Sequence, residues 1–230
     1  MKLNQKNWSC PKKTTARQET IINQYREHYG YSLPVDAQYW SMSGQCGTSD
    51  GSPMTGCELN QLISSDLITE KQFYGVEIQR DIFEVNQKAY PNANWYNDDF
   101  LNAMINADNF NPAIVNADLI QTPETGCLYI SKCMDFLSQF SLNIMFIANF
   151  IIQMRHYDLK DGDYVIRSLN HQPLFQNAMN NGNWVFDNKF YKYNGTGSEK
   201  SKISMGTFIF KKYKQQEVKD CCSKGLDITH

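Results

Sequence analysis

Five apolar, β-favouring segments recur along this chain, each followed by a stretch with helical spacing, and two aromatic-rich runs close the pattern. The five are residues 37–42, 72–78, 93–96, 112–117 and 142–151, and the closing pair is 183–193 and 203–212. Strands that alternate with helices pair in parallel through crossovers, so this order predicts a doubly wound α/β fold with helices on both faces of a mostly parallel sheet. The closing runs flank Asn194-Gly195-Thr196-Gly197-Ser198, a loose hairpin signal, so the seven-stranded sheet is expected to end in a C-terminal antiparallel pair.

The helical segments have their own marks. Ile21, Ile22, Tyr25 and Tyr29 share a face before Gly30, and Leu59, Leu62, Ile63 and Leu67 share another. Ile82, Phe83, Val85 and Ala89 precede the stop at Pro91. Thr122-Pro123-Glu124 supplies an N-cap, a first-turn proline and an acid for the helix dipole. A helix over 163–180 is interrupted at Pro173. The expected organisation is a helical lead-in over 1–36, one α/β domain over 37–213 and a polar tail over 214–230.

Composition narrows the function classes. The formal net charge of −2 over 230 residues gives no global field for a polyanion, so any nucleic-acid contact is local. Residues 1–13 lack the apolar core of a signal peptide, and the longest apolar run, 142–152, is too short to span a bilayer. The seven cysteines (10, 46, 57, 127, 133, 221 and 222) contain no C-x-x-C pair and no neighbouring histidine at zinc-ligand spacing. They read as reduced thiols in a cytoplasmic setting, and no metal is expected.

In such sheets ligands bind outside the carboxyl ends of the strands. Here those ends carry Ser43-Gly44-Gln45-Cys46-Gly47 after the first strand, Glu77 and Ile78 at the second, Asp98-Asp99-Phe100 after the third and Asp118 after the fourth. A small-residue turn lets backbone approach a ligand closely, and an acid at the second strand end can accept both hydroxyls of a ribose.

With its terminal hairpin, this order of elements resembles the class I S-adenosylmethionine-dependent methyltransferases over about residues 37–213. The resemblance implies S-adenosyl-L-methionine as cofactor, with Ser43, Gly44, Cys46 and Gly47 near its methionine end and Glu77 with Ile78 at the ribose. It implies Asp99 or Asp98 at the adenine amino group, Phe100 stacked on the ring, and Asp118 beside both methyl donor and substrate as the catalytic candidate. The loop departs from the family's acid-x-Gly-x-Gly-x-Gly form.

The residues also carry plainer readings. Asp99 makes a helix N-cap, Glu77 a solvated strand end, Asp118 a loop residue, and Tyr39 and Trp40 core. His156, after the fifth strand, is either an acid-base group near the substrate entrance or a surface residue. Lys189, Tyr191, Lys192, Tyr193, Lys200, Lys202, Lys211, Lys212 and Lys214 interleave basic and aromatic character, which suits either a grip on single-stranded nucleic acid or a lysine-solubilised sheet edge.

After the fourth strand the chain reads Asn116-Ala117-Asp118-Leu119-Ile120-Gln121-Thr122-Pro123. It has neither the Asp/Asn/Ser-Pro-Pro-aromatic signature of base-amino methyltransferases nor the Pro-Cys of cytosine-C5 enzymes. The expected chemistry is direct transfer of a methyl group to an oxygen or nitrogen acceptor by proximity and alignment. The alternative is a non-catalytic binding module, for S-adenosylmethionine or nucleic acid, on the same fold.

Overall fold

The computed structural model of the chain describes residues 11–119, 123–153, 163–194 and 203–214. His156, Lys200, Lys202, Cys10, Cys221 and Cys222 lie outside the described residues, as does Thr122. The chain opens with α1 (Pro11–Arg17), a π-helical turn (Gln18–Asn23) and α2 (Gln24–His28). The alternating body follows: β1 (Gln38–Met42), α3 (Glu58–Ser64), β2 (Phe73–Val76), α4 (Arg80–Ala89), β3 (Asn94–Tyr96), α5 (Phe100–Ile105), β4 (Pro112–Asp118), α6 (Pro123–Ser138) and β5 (Ile144–Gln153). Helices α7 (Asp163–Asn170) and α8 (Pro173–Asn181) precede β6 (Trp184–Asn194) and β7 (Ile203–Lys212).

The seven strands form one sheet in the order β3-β2-β1-β4-β5-β7-β6. Strands β1 to β5 pair in parallel, while β7 runs antiparallel to both β5 and β6. The expected fold is therefore found, with the terminal pair inserted so that the last strand lies inside the sheet. Strand order reverses between β1 and β4, the position at which open α/β sheets form their ligand crevice.

Period-two alternation divides the apolar residues between two cores. Trp40, Val115, Ala117, Phe146, Ala148, Phe208 and Phe210 face one side, where Ala103 and Met104 of α5 and Ile130, Met134 and Leu137 of α6 cover them. Tyr39, Ile114, Met145, Ile147 and Ile209 face the other, against Ile21, Ile22 and Tyr25 of the leading helices and Leu59 and Leu62 of α3. A strand buried on both faces reads as a continuous apolar run, which is why 142–151 is so uniform in sequence. Pro173 starts α8 at its first turn instead of kinking one long helix.

Gly75 shows how tightly β2 is covered: a Cβ there would lie 2.3 Å from a ring carbon of Trp95. Among the described residues no helix is long and apolar enough to cross a membrane.

Candidate functional site

The loop after β1 is held by one side chain from α4. Asn86, fully buried, accepts the N–H groups of Cys46 (2.7 Å) and Gly47 (3.0 Å) and donates to the carbonyl of Gly44 (3.0 Å). Two of the N–H groups expected near a cofactor carboxylate are thus committed inside the protein. Gly47 serves close packing, since a Cβ on it would come 2.3 Å from the carbonyl oxygen of Val85. Gly44 is exposed, with open space where its Cβ would stand, so it is the position at which a ligand can approach the backbone. Ser43 is buried, and its N–H extends the β1–β2 pairing to the carbonyl of Val76 (3.1 Å).

At the end of β2, Glu77 is half-buried, and burial raises its carboxyl above the usual range. Its Oε1 accepts the Gln79 N–H (2.8 Å), while its backbone N–H donates to Tyr96 of the neighbouring strand (3.0 Å). Ile78 stands 73% exposed beside it, an apolar surface at the rim.

The two acids after β3 separate in role. Asp99 caps α5, its Oδ1 accepting the N–H groups of Leu101 (3.0 Å) and Asn102 (3.2 Å), and it accepts the Tyr129 hydroxyl as well (3.0 Å). Asp98 is exposed, one oxygen accepting the Asp99 N–H (2.6 Å). Phe100, expected as a stacking partner, is 3% exposed and packed in the α5/α6 core, because the first turn of a capped helix directs it inward.

Asp118, half-buried at the end of β4, lines a narrow polar pocket with Arg17, Thr20, Glu58, Asn116, Asn149 and Thr207. Beneath the pocket runs a chain of buried hydrogen bonds across four strands. Thr207 on β7 donates to Asn149 (2.5 Å), Asn149 on β5 donates to Asn116 (2.9 Å), and Asn116 on β4 donates to Oε1 of Glu58 (3.0 Å). The same oxygen accepts the hydroxyls of Tyr39 (2.6 Å) and Ser41 (2.9 Å) on β1.

Three donors on one carboxylate oxygen offset the cost of burying a charge at the first turn of α3, where the helix dipole also favours it. Burial opposes the Arg17 charge, but Glu58 and Asp118 more than compensate, and its guanidinium is held above its ordinary value. Arg17 also donates to the carbonyl of Gly56 (3.1 Å), fastening the leading helix over the pocket. Tyr39, read as core, is fully buried, yet its hydroxyl belongs to this network, and burial beside Glu58 drives its proton affinity well up.

Sequence reasoning reached Asp118 but not Arg17, Glu58, Asn86, Asn116, Asn149 or Thr207. One signal was present: Asn116 and Asn149 each interrupt an otherwise apolar central strand, where a buried amide demands partners. In the lysine-aromatic region, Lys211 and Lys212 are buried, and Lys212 donates to the carbonyl of Phe140, so both are drawn into the protein. Among the described residues no group of three or more His, Cys, Asp or Glu could hold a metal ion. No protein-family model matches the chain, and no curated protein matches it.

Proposed function

We propose that this protein binds S-adenosylmethionine and transfers its methyl group directly to an oxygen or nitrogen acceptor. The observation that carries the reading is the sheet order β3-β2-β1-β4-β5-β7-β6, which brings Gly44, Glu77, Asp98 and Asp118 to the carboxyl ends of neighbouring strands. The order is that of the class I methyltransferases, and an α/β fold by itself supports many chemistries, so the weight falls on the strand-end residues.

Each of those residues has a part in this reading. Glu77 would accept the ribose hydroxyls, Ile78 would cover one face of the adenine, and Asp98, with Asp99 occupied in capping, would accept the adenine amino group. Gly44 would admit the methionine end against bare backbone. When bound, the cofactor supplies an electrophilic methyl on a sulfonium.

The chain's own part is alignment and proton handling. Asp118, lining the polar pocket, would accept the hydrogen bond of an acceptor N–H or O–H and orient its lone pair. A second reading, binding without turnover, is favoured by one observation: Asn86 occupies the N–H groups of Cys46 and Gly47.

Titration calorimetry with S-adenosylmethionine and S-adenosylhomocysteine tests the reading. Binding to both is expected, weakened at least about tenfold in Glu77→Ala through loss of charge-assisted hydrogen bonds. Absence of binding to either overturns it. Labelled cofactor incubated with DNA, RNA and protein pools then separates transfer from binding alone.

A further inference from the structure

We propose that Cys46 and Cys57 are a redox-modification site, forming a reversible disulfide that ties the loop after β1 to the first turn of α3. The two thiols are brought together by backbone geometry. Gly47 and Pro53 form an antiparallel bridge, the Met54 N–H donates to the Cys46 carbonyl (2.7 Å), and the Cys57 N–H returns to the Met54 carbonyl (3.3 Å). Met54 thus ties the backbone of Cys46 to that of Cys57, and the two side chains are near enough for each to shift the other's proton affinity. Both sulfurs are free and lie in the same core cluster.

The pair is chemically unequal. Cys57 is the N-cap of α3, its sulfur accepting the Asn60 N–H (3.4 Å) and lying 3.5 Å from the Tyr90 hydroxyl. The neighbouring Cys46 thiol, and after it the Tyr90 hydroxyl and the Asn60 N–H, hold the Cys57 thiol below its ordinary value despite burial, whereas Cys57 and burial hold Cys46 above. With a helix N-cap N–H and a tyrosine hydroxyl on its sulfur, Cys57 is assigned as the nucleophile and Cys46 as the resolving partner. The other two cysteines of the described residues, Cys127 and Cys133, belong to the opposite core and form no disulfide, and burial pushes Cys133 up.

Cys46 and Cys57 are 2% and 4% exposed, but the covering segment is a surface loop in which Ser49, Asp50, Ser52, Pro53 and Thr55 are exposed. Opening of that loop admits an oxidant as small as hydrogen peroxide. The Cys57 thiolate attacks one peroxide oxygen; an S–O bond forms, the O–O bond breaks, and the departing hydroxide takes a proton to leave as water. The Cys46 sulfur, losing its proton, attacks the sulfenic sulfur of Cys57, and the S–O bond breaks as S–S forms and a second water leaves. Two thiols are oxidised and one peroxide is reduced to two waters.

The folded wild-type protein is treated with hydrogen peroxide, quenched, unfolded in urea, alkylated and digested without reductant, and its peptides are mapped by mass spectrometry. The expected result is a Cys46–Cys57 cross-linked peptide lighter by two hydrogens, removed by dithiothreitol. It should be absent in Cys46→Ser and Cys57→Ser and retained in Cys127→Ser. Full alkylation of both residues after oxidation, or their cross-linking only to other cysteines, overturns the proposal. A second arm compares S-adenosylhomocysteine affinity of the oxidised and reduced forms, with weaker binding expected on oxidation and reversal by reductant. That arm alone rests on the cofactor reading, so a protein that cross-links but binds no cofactor refutes that reading and leaves the disulfide standing.

Discussion

At the residue scale, adjacent acids of the same chemistry do different work. Asp99 accepts two backbone N–H groups and a tyrosine hydroxyl, so Asp99→Ala removes a helix cap and leaves the half-buried Tyr129 hydroxyl short of a partner. A loss of about 1–2 kcal/mol is expected, read as a lower urea midpoint at unchanged slope. Asp98→Ala should leave that midpoint within about 0.5 kcal/mol, because the residue is exposed, and should act only on ligand affinity. The sequence presents both acids at a strand end and cannot rank them, because the ranking depends on Tyr129, thirty residues downstream on α6.

At the scale of elements, the loop between β1 and α3 is a packed joint and, in the proposed reading, a ligand rim as well. Two glycines three positions apart make the distinction measurable. Gly47→Ala drives a methyl group into the backbone of α4 and is expected to cost about 2 kcal/mol in thermal or chemical denaturation. Gly44→Ala meets nothing and should preserve stability while lowering cofactor affinity, so equal stability losses in the two variants would contradict the roles given to them.

Most elements were legible in the sequence because each strand run and each amphipathic helix declares its own period. The approach of α4 to the loop was not, since Asn86 lies among polar helix residues and only the fold shows which of them turns inward. Asp118 and Glu77 could be read from position after a strand. Glu58 could not, because its significance depends on hydroxyls and an amide from two strands.

For the whole molecule, two cores share one sheet, and neither can be lost alone. Leu62→Ala on one face and Met134→Ala on the other each empty a fully buried site and should each cost roughly 3 kcal/mol. The prediction is a common transition: far-ultraviolet circular dichroism and tryptophan fluorescence should report the same lowered midpoint in both variants. Separate transitions for the two faces would show that the leading helices and α3 fold independently of α5, α6 and α8.

The buried amide chain from Thr207 to Glu58 has a consequence for assembly. It links the last strand in the sequence to the first helix after β1, and each link demands a polar group on one particular face of its strand. A slip of β7 by one residue would turn Thr207 to the opposite core and set Phe208 toward Asn149, leaving a buried amide unmatched. The row of polar side chains works as a parity check on strand register, admitting the final hairpin only when its odd and even residues fall on the correct sides.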